Sequence, residues 1–298
     1  EELKNLLNPK ELEEIKNYYG VSEKGNFDTT DFSEIEKDAG LEGVHEANIL
    51  HLDPKMPLPY SANHKYLEPI LNKLLKIRTK RVRPLLDHQI ITGWNGLMIA
   101  ALARASQVFN NVTYKNLAIQ ATQFILKNLY KKDRLHRSFA NSTSKNYAYL
   151  EDYAFFIFAL LELYQTDFNP YWYKLAQKIQ DTQIQLFWHE KQQLFFDTDG
   201  TDETLIIRTK DVFDNAIPSG NSMSAYNLLR FAGISYNQSY SSMARQVISS
   251  TYQQVIQHPS AFPFMLCALD YLLDTSKEIA IVGNLENQKT KSMISLLS

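Results

Sequence analysis

The sequence has very little of what builds disulfide-rich or turn-rich proteins. Its single cysteine, Cys267, excludes an intrachain disulfide framework and any multi-cysteine metal site. Glycine and proline occur 10 times each in 298 residues, which is about half of their average usage. Sandwiches, barrels and propellers need many turns, so this shortage favours long helices over an all-β fold. Because Cys267 lies in the apolar stretch 265–269, we expect a buried, unreactive thiol.

An excess of charge of either sign and a long apolar run are also absent. The 31 basic and 33 acidic residues give a net charge of −2, which provides no electrostatic reason to expect a nucleic acid or a membrane surface as partner. The longest apolar run, 153–161, is too short to cross a bilayer. The first residues show an amphipathic pattern rather than a signal peptide, so we expect a cytoplasmic location.

Signatures of metals and nucleotides are missing as well. The seven histidines include no pair spaced i, i+4, so the sequence lacks a helical zinc signature. Gly220 is not part of a glycine-rich phosphate loop with a following lysine. We therefore expect no metal and no cofactor.

The first 64 residues differ in pattern from the rest. Asn8 and Pro9 predict a helix start, and Gly20 predicts its end after Tyr19. Residues 21–63 are polar and hold three prolines and three glycines, which is typical of a long irregular connection, with a short strand predicted at 48–52. We divide the chain into this N-terminal part, 1–64, and a helical part, 65–298, which together form one structural unit.

The helical part shows the 3.6-residue periodicity of successive helices. They are predicted over residues 66–78, 94–109, 114–130, 150–165, 170–187, 219–232, 239–257 and 260–274. A small β-hairpin is predicted from strands at 194–198 and 204–208 with a turn at 199–202, and a single β-like stretch at 278–282.

The predicted helices alternate between two classes. Those containing 98–103, 154–161 and 264–269 are apolar nearly all round, which is typical of helices buried on all sides. Those at 114–130 and 171–187 have one polar face and belong on the outside. Regular alternation of inner and outer helices predicts an all-α fold, an (α/α) toroid of helical hairpins with the one small β-hairpin.

Polar residues cluster where each inner helix begins. In a toroid these starts share one rim, where unpaired N–H groups and positive dipole ends favour a polyhydroxylated or anionic ligand. The adjacent acids Glu151 and Asp152 are candidate acid/base groups. Helix capping explains the same residue types, and this alternative stays open. The candidate ligand-binding residues are Trp94, Asn95, Tyr153, Arg208, Asp211, Asn215, Ser219 and Asn221.

Three of these segments carry recognisable motifs: 94–100 (WNGLMIA), 150–155 (LEDYAF) and 214–222 (DNAIPSGNS). They resemble the YyaL-type family, which includes spermatogenesis-associated protein 20, and the resemblance covers nearly the whole chain. The resemblance implies a thioredoxin-like domain, followed by a toroid similar to six-hairpin glycosidases and N-acylglucosamine 2-epimerases. This chain departs from the family pattern at His88–Gln89 and within 208–211.

The sequence matches only the later part of that family's pattern, so we expect the toroid to be without its first hairpins and without the thioredoxin-like domain. An incomplete toroid predicts apolar surface at its open edge, either exposed or covered by residues 1–64 or by a second copy in a homodimer. A thioredoxin-like domain and the missing hairpins are the other expected partners.

Two hypotheses for the function follow. The favoured one is a carbohydrate-binding or carbohydrate-processing domain of epimerase or glycosidase type, with a sugar-like small molecule as ligand. The alternative is a non-catalytic platform that docks a redox domain or a client protein. The sequence leaves open whether the protein is an enzyme.

Overall fold

The computed structural model describes residues 2–26, 48–52, 67–201, 206–274, 279–284 and 286–296. Most of this described chain is helical, which confirms the predicted fold class. The helices are α1 (Glu2–Leu6), α2 (Pro9–Tyr19), α3 (Leu67–Arg78), α4 (Thr92–Val108), α5 (Val112–Asn128), α6 (Leu150–Asp167), α7 (Pro170–Phe187), α8 (Gly220–Ser235), α9 (Gln238–Gln257), α10 (Pro263–Leu273) and α11 (Gln288–Ser295). None of them is both long and apolar enough to cross a membrane.

The chain divides into two compact units, residues 1–86 and 87–298. The sequence placed a boundary at residue 64 and treated the whole as one unit, so the observed division differs from the expected one. The reason is α3: its residues Leu67 and Ile70 are buried in the same small core as Ile15 of α2. The helix that was expected to open the toroid therefore belongs to the N-terminal unit.

The start and end of α2 are those that the sequence predicts. Asn8 accepts a hydrogen bond from the Glu11 N–H (2.9 Å), and the Glu11 carboxylate accepts one from the Asn8 N–H (3.0 Å). Such a capping box stabilises a helix by about 1 kcal/mol. Gly20 ends the helix in the left-handed region, at φ 61°. Residues 48–52 form no strand, and 27–47 and 53–66 of the expected irregular connection lie outside the described residues.

In the second unit, inner helices α4, α6, α8 and α10 alternate with outer helices α5, α7 and α9. Each inner helix packs on the next one along the chain, and α5, α7 and α9 pack on the inner helices that precede them. The main core lies between these two layers. Inner helices approach closely: a Cβ on Gly96 of α4 would lie 2.8 Å from the backbone of Phe155 in α6. Only glycine permits that approach.

A small sheet, which the sequence did not predict, lies at the start of α6. Strand β3 (Arg134–Ala140) pairs antiparallel with β1 (Ile90–Ile91), β2 (Tyr130–Lys131) and β4 (Thr143–Tyr147). The turn between β3 and β4 uses Asn141 and Ser142, both at positive φ (50° and 61°). This sheet places Arg137 beside the first turn of α6, where its guanidinium bonds Glu151.

The hairpin predicted over 194–208 is wrong. Strand β6 (Leu194–Phe195) pairs antiparallel with β5 (Trp188–His189), directly after α7. Residues 206–208 form no strand, and 202–205 lie outside the described residues. The predicted stretch 278–282 is not a strand over its described residues 279–282, and Glu278 lies outside them.

Burial is uneven along the row of inner helices. Buried residues make up 12 of 18 in α6 and 11 of 16 in α8, against 7 of 17 in α4 and 2 of 11 in α10. The two end helices therefore expose apolar side chains, as an open toroid predicts. The prediction of a buried Cys267 is wrong, because the thiol of this α10 residue is exposed.

Candidate functional site

The starts of the four inner helices meet at one end of the second unit. A Cβ on Gly93 of α4 would lie 2.9 Å from Asp152 of α6, and one on Gly220 of α8 would lie 2.7 Å from Leu150. Asp214, which precedes α8, accepts hydrogen bonds from the first N–H groups of α10. The convergence that the toroid hypothesis requires is therefore present, and we call this end the rim.

Asp152 fastens two of these helix starts together. One carboxylate oxygen accepts from the Gly93 N–H (2.8 Å), and the other accepts from the Tyr149 N–H (2.9 Å) and from Arg137 (3.1 Å). Burial raises the pKa of Asp152 to about 6, although Arg137 and the two N–H donors act in the opposite direction. Because its side chain is fully buried, Asp152 holds the rim together and does not reach a ligand in this geometry.

Glu151 is the more accessible of the two acids. Its carboxylate accepts a hydrogen bond from Arg137 at 2.9 Å, and the two side chains are 31% and 24% exposed. The Arg137 guanidinium also stacks 4.4 Å from the centre of the Tyr149 ring. Burial lowers the pKa of Arg137, but Asp152 and Glu151 more than offset this and hold it above its usual value. The sequence reasoning missed Arg137, because it did not predict the strand that carries it.

Trp94 and Asn95 occupy the first turn of α4, next to the Gly93 that Asp152 holds. Trp94 is 57% exposed, which is unusual for a large apolar side chain at a helix start. Asn95 is half-buried and donates from its amide to the carbonyl of Ile91 at 2.9 Å. Trp94 and Asn95 therefore follow directly after Gly93, from whose N–H Asp152 accepts a hydrogen bond.

The α8 side of the rim is held by Asp214. Its carboxylate accepts from the N–H groups of Ser219 (2.8 Å), Phe264 (2.8 Å) and Met265 (3.1 Å). Ser219 is the N-cap of α8 and accepts from the Ser222 N–H. Asn215 is exposed beside a cavity of about 180 Å³ that residues 214–218 line together with α10 residues. Asn215 is thus accessible, whereas Ser219 is committed to capping.

Two more predicted ligand-binding residues sit next to this side of the rim. Asn221 is buried and brackets Phe195, accepting from its N–H (2.8 Å) and donating to its carbonyl (3.0 Å). Asp211 is exposed, and its N–H donates to the carboxylate of Asp197 (2.9 Å). One carboxylate oxygen of exposed Asp211 accepts from the Phe213 N–H (3.0 Å), and the amide of Asn221 is used inside the protein.

Arg208 and Tyr153 do not join the rim cluster. Arg208 donates to the carbonyls of Thr198 (3.0 Å) and Leu186 (3.3 Å), and stacks 3.9 Å from the centre of the Phe196 ring. Tyr153 is buried in the core, and its hydroxyl accepts from the Leu135 N–H (3.0 Å). Both polar groups stabilise the surrounding loops rather than face a ligand. In the part of the chain that the structure describes, no three metal-ligating side chains are grouped to bind an ion.

His136, on β3, makes stability dependent on pH through the small sheet at the start of α6. Burial lowers the pKa of His136 below 6.5, and Lys131 and Arg134 add to the shift. As the pH falls, His136 is therefore protonated in the unfolded chain before it is protonated in the folded protein. Stability is lost as the pH falls below 6.5. Between about pH 7.5 and about pH 5.5, we expect the urea midpoint of the wild type to fall further than that of His136→Asn. If the urea midpoint of His136→Asn falls as far as that of the wild type over this pH range, the assignment is contradicted.

Comparison with known proteins supports this fold. Over 94% of its length, the chain is 29% identical to spermatogenesis-associated protein 20 of Rattus norvegicus and 28% identical to that of Homo sapiens. These proteins are its homologues, as the motifs predicted, and the chain spans 37% of the length of each. No family model matches the sequence.

Among solved structures, the cellobiose 2-epimerase of Bacillus thermoamylovorans aligns with a TM-score of 0.51 and 11% identity. The alignment covers 70% of this chain and 59% of that one. The fold shared with this epimerase is the (α/α) toroid. At this level of identity, the likeness concerns the fold alone.

Proposed function

We propose that this homologue of spermatogenesis-associated protein 20 binds a sugar or a sugar-like molecule at the rim, and that Glu151 acts there as an acid/base group. One observation carries the proposal: a partly exposed carboxylate lies in the same cluster of helix starts as the exposed Trp94. Aromatic rings bind the apolar faces of sugars, while charged and amide groups bind their hydroxyls. Epimerase- and glycosidase-type reactions both need a proton donor or acceptor at such a place.

The roles of the other residues follow from their contacts. Trp94 supplies the stacking platform, and Asn95, Asp211 and Asn215 supply polar groups at the rim. Asp152 is a positioning residue, since its oxygens are occupied by two backbone N–H groups and Arg137. The positive dipole ends of the inner helices add to the attraction of hydroxyl or anionic groups.

Titration calorimetry with a panel of mono- and disaccharides tests the proposal. We expect one sugar class to bind, and Trp94→Ala to weaken that binding by about tenfold through loss of stacking. Tyr171 is similarly exposed but lies on outer helix α7, so Tyr171→Ala should bind as the wild type does. Glu151→Gln should lower any turnover by about 100-fold or more while the fold is kept. The proposal fails if no sugar binds this chain or the full-length relative.

A docking platform for a redox domain or a client protein is the second candidate function. It is favoured by the position of Trp94 at the head of an exposed, mostly apolar stripe on α4 (Met98, Ala101 and Val108), which exposed Arg104 borders. A platform predicts that Trp94→Ala leaves activity of the full-length protein intact, while changes along exposed helix faces abolish pull-down of the partner. Sugar binding that depends on Trp94 would favour the first function.

A cytoplasmic location completes the proposal. Cys267 is the single cysteine of the chain, and its thiol is exposed. Exposed unpaired thiols persist where the surroundings are reducing.

A further inference from the structure

A cavity of about 920 Å³ lies within the N-terminal unit, residues 1–86. Side chains of α1, α2 and α3 and of the loop residues 21–23 line it. Its volume is within the range of about 300 to 1,000 Å³ that small-molecule sites have. The described residues that line it all belong to this unit, so the cavity is a different feature from the rim.

Much of the cavity lining is apolar, because it is the free side of the small core of the unit. Five side chains that pack on this core while remaining half-buried also line the cavity: Leu3, Leu6, Leu12, Tyr19 and Leu74. Leu71 and Leu75 of α3 add to the lining and are 39% and 51% exposed. A ligand that enters therefore meets aliphatic side chains from three helices.

The charged side chains that line the cavity carry an excess of positive charge. Among the described residues there are four cations and two carboxylates: Lys4, Lys16, Arg78 and Arg81, and Glu2 and Glu23. Glu23 pairs with Lys4 (2.8 Å) and Lys16 (3.5 Å), which hold its pKa below the usual value. Glu2 pairs with Arg81. The lining therefore has more cations than its own carboxylates neutralise.

Arg78 is the cation that these pairs leave over. It is exposed at the last turn of α3, and it has no carboxylate partner among the residues that the structure describes. A guanidinium binds a carboxylate or a phosphate through two parallel hydrogen bonds. An anionic group is thus the complement of this part of the lining.

We propose that the cavity binds a single-chain lipid anion, of which a long-chain fatty acid is the simplest. The alkyl chain packs on the leucine side chains, and the carboxylate binds Arg78. Both parts of this ligand are needed, since an inorganic anion would leave the leucines in contact with water. A sugar does not fit, because aliphatic side chains offer no partners for its hydroxyl groups.

Titration calorimetry of this chain with octanoate, nonanoate and decanoate, below their micelle concentrations, tests the proposal. We expect one molecule to bind per chain, with an affinity that rises about fourfold for each added methylene group that is buried. Decanol has a chain of the same length without the charge. It should bind about tenfold more weakly than decanoate, because it makes no charged pair with Arg78.

Two substitutions on α3 test the two parts of the site. Leu75→Glu places a charge in the apolar lining and should lower the affinity for decanoate by about tenfold or more. Arg78→Gln should lower the affinity for decanoate by about tenfold and leave that for decanol unchanged.

The same unit offers matched controls. Leu85 and Arg83 are exposed and do not line the cavity, so Leu85→Glu and Arg83→Gln should bind decanoate as the wild type does. All four positions are exposed, and circular dichroism checks that the fold is kept. Binding without saturation, decanol bound as tightly as decanoate, or decanoate affinity unchanged in Leu75→Glu would each overturn the proposal.

Discussion

Replacement of Asp152 by alanine is expected to lower the free energy of unfolding by about 2 to 3 kcal/mol, because one buried and one partly buried backbone N–H group lose their acceptor. These N–H groups belong to Gly93 and Tyr149 and lie at the starts of α4 and α6. Urea unfolding at neutral pH, followed by circular dichroism, measures the loss.

The neighbouring acid provides the control. Glu151→Gln keeps a hydrogen-bond acceptor at a partly exposed position, so we expect it to change stability by no more than about 0.5 kcal/mol. The pair of variants separates the contributions of the two acids to stability, of which we expect that of Asp152 to be the larger. Equal losses in both variants would contradict this division.

Replacement of Arg230 by alanine is expected to lower the free energy of unfolding by about 4 kcal/mol, because the charge of Glu162 is then buried without a partner. Arg230 of α8 and Glu162 of α6 form an ion pair at 2.8 Å between two inner helices, with side chains 4% and 10% exposed. The guanidinium also lies 5.5 Å from the centre of the Phe158 ring. Urea unfolding again gives the free energy.

Two further variants test this interpretation: one removes both charges of the buried pair, and the other breaks an ion pair at the surface. The double variant Glu162→Leu with Arg230→Met removes both charges, and we expect it to regain most of the lost stability. Lys178 pairs with Asp133 at the surface, so Lys178→Ala should cost less than about 1 kcal/mol. A double variant as unstable as Arg230→Ala would show that the pair itself, rather than its unpaired charge, stabilises the helices.

The helices could be predicted from the sequence because their signals are local. Periodicity located α7 at 170–187 and the caps Asn8 and Gly20 located the ends of α2, all as observed. Burial could not be predicted in the same way. Cys267 lies in an apolar helix at the end of the row of inner helices. The sequence does not show that, among the inner helices, only α8 packs on this helix in the described part of the chain.

The strands were harder to predict because their partners and turns were misidentified. Turn residues Asp199 and Gly200 suggested a hairpin, but β6 pairs with β5 on the other side. The turns around β3 use Lys132, Asp133, Asn141 and Ser142 at positive φ without any glycine. A search for glycine and proline therefore missed them, although asparagine at a turn is a recognised signal.

The candidate site shows the same division between local and long-range information. The motifs located the rim and the acids, but capping and catalysis use the same residue types. Only the contacts separate them, since Asp152 binds an N–H that is 59 positions away in sequence. Arg137 had no local signal, because its role depends on a strand that reaches α6 across the sheet.

The uneven burial of the inner helices has a consequence for local unfolding. Segments with few buried contacts open at a lower free energy than the global transition. Helix α10 has 2 of 11 residues buried, and Asp214 binds the N–H groups of its first turn. We therefore expect α10 to open at a lower free energy than α6 and α8, beginning at the end that Asp214 does not bind. The rim stays preorganised during such opening, because Asp152 and Asp214 tie the helix starts to one another.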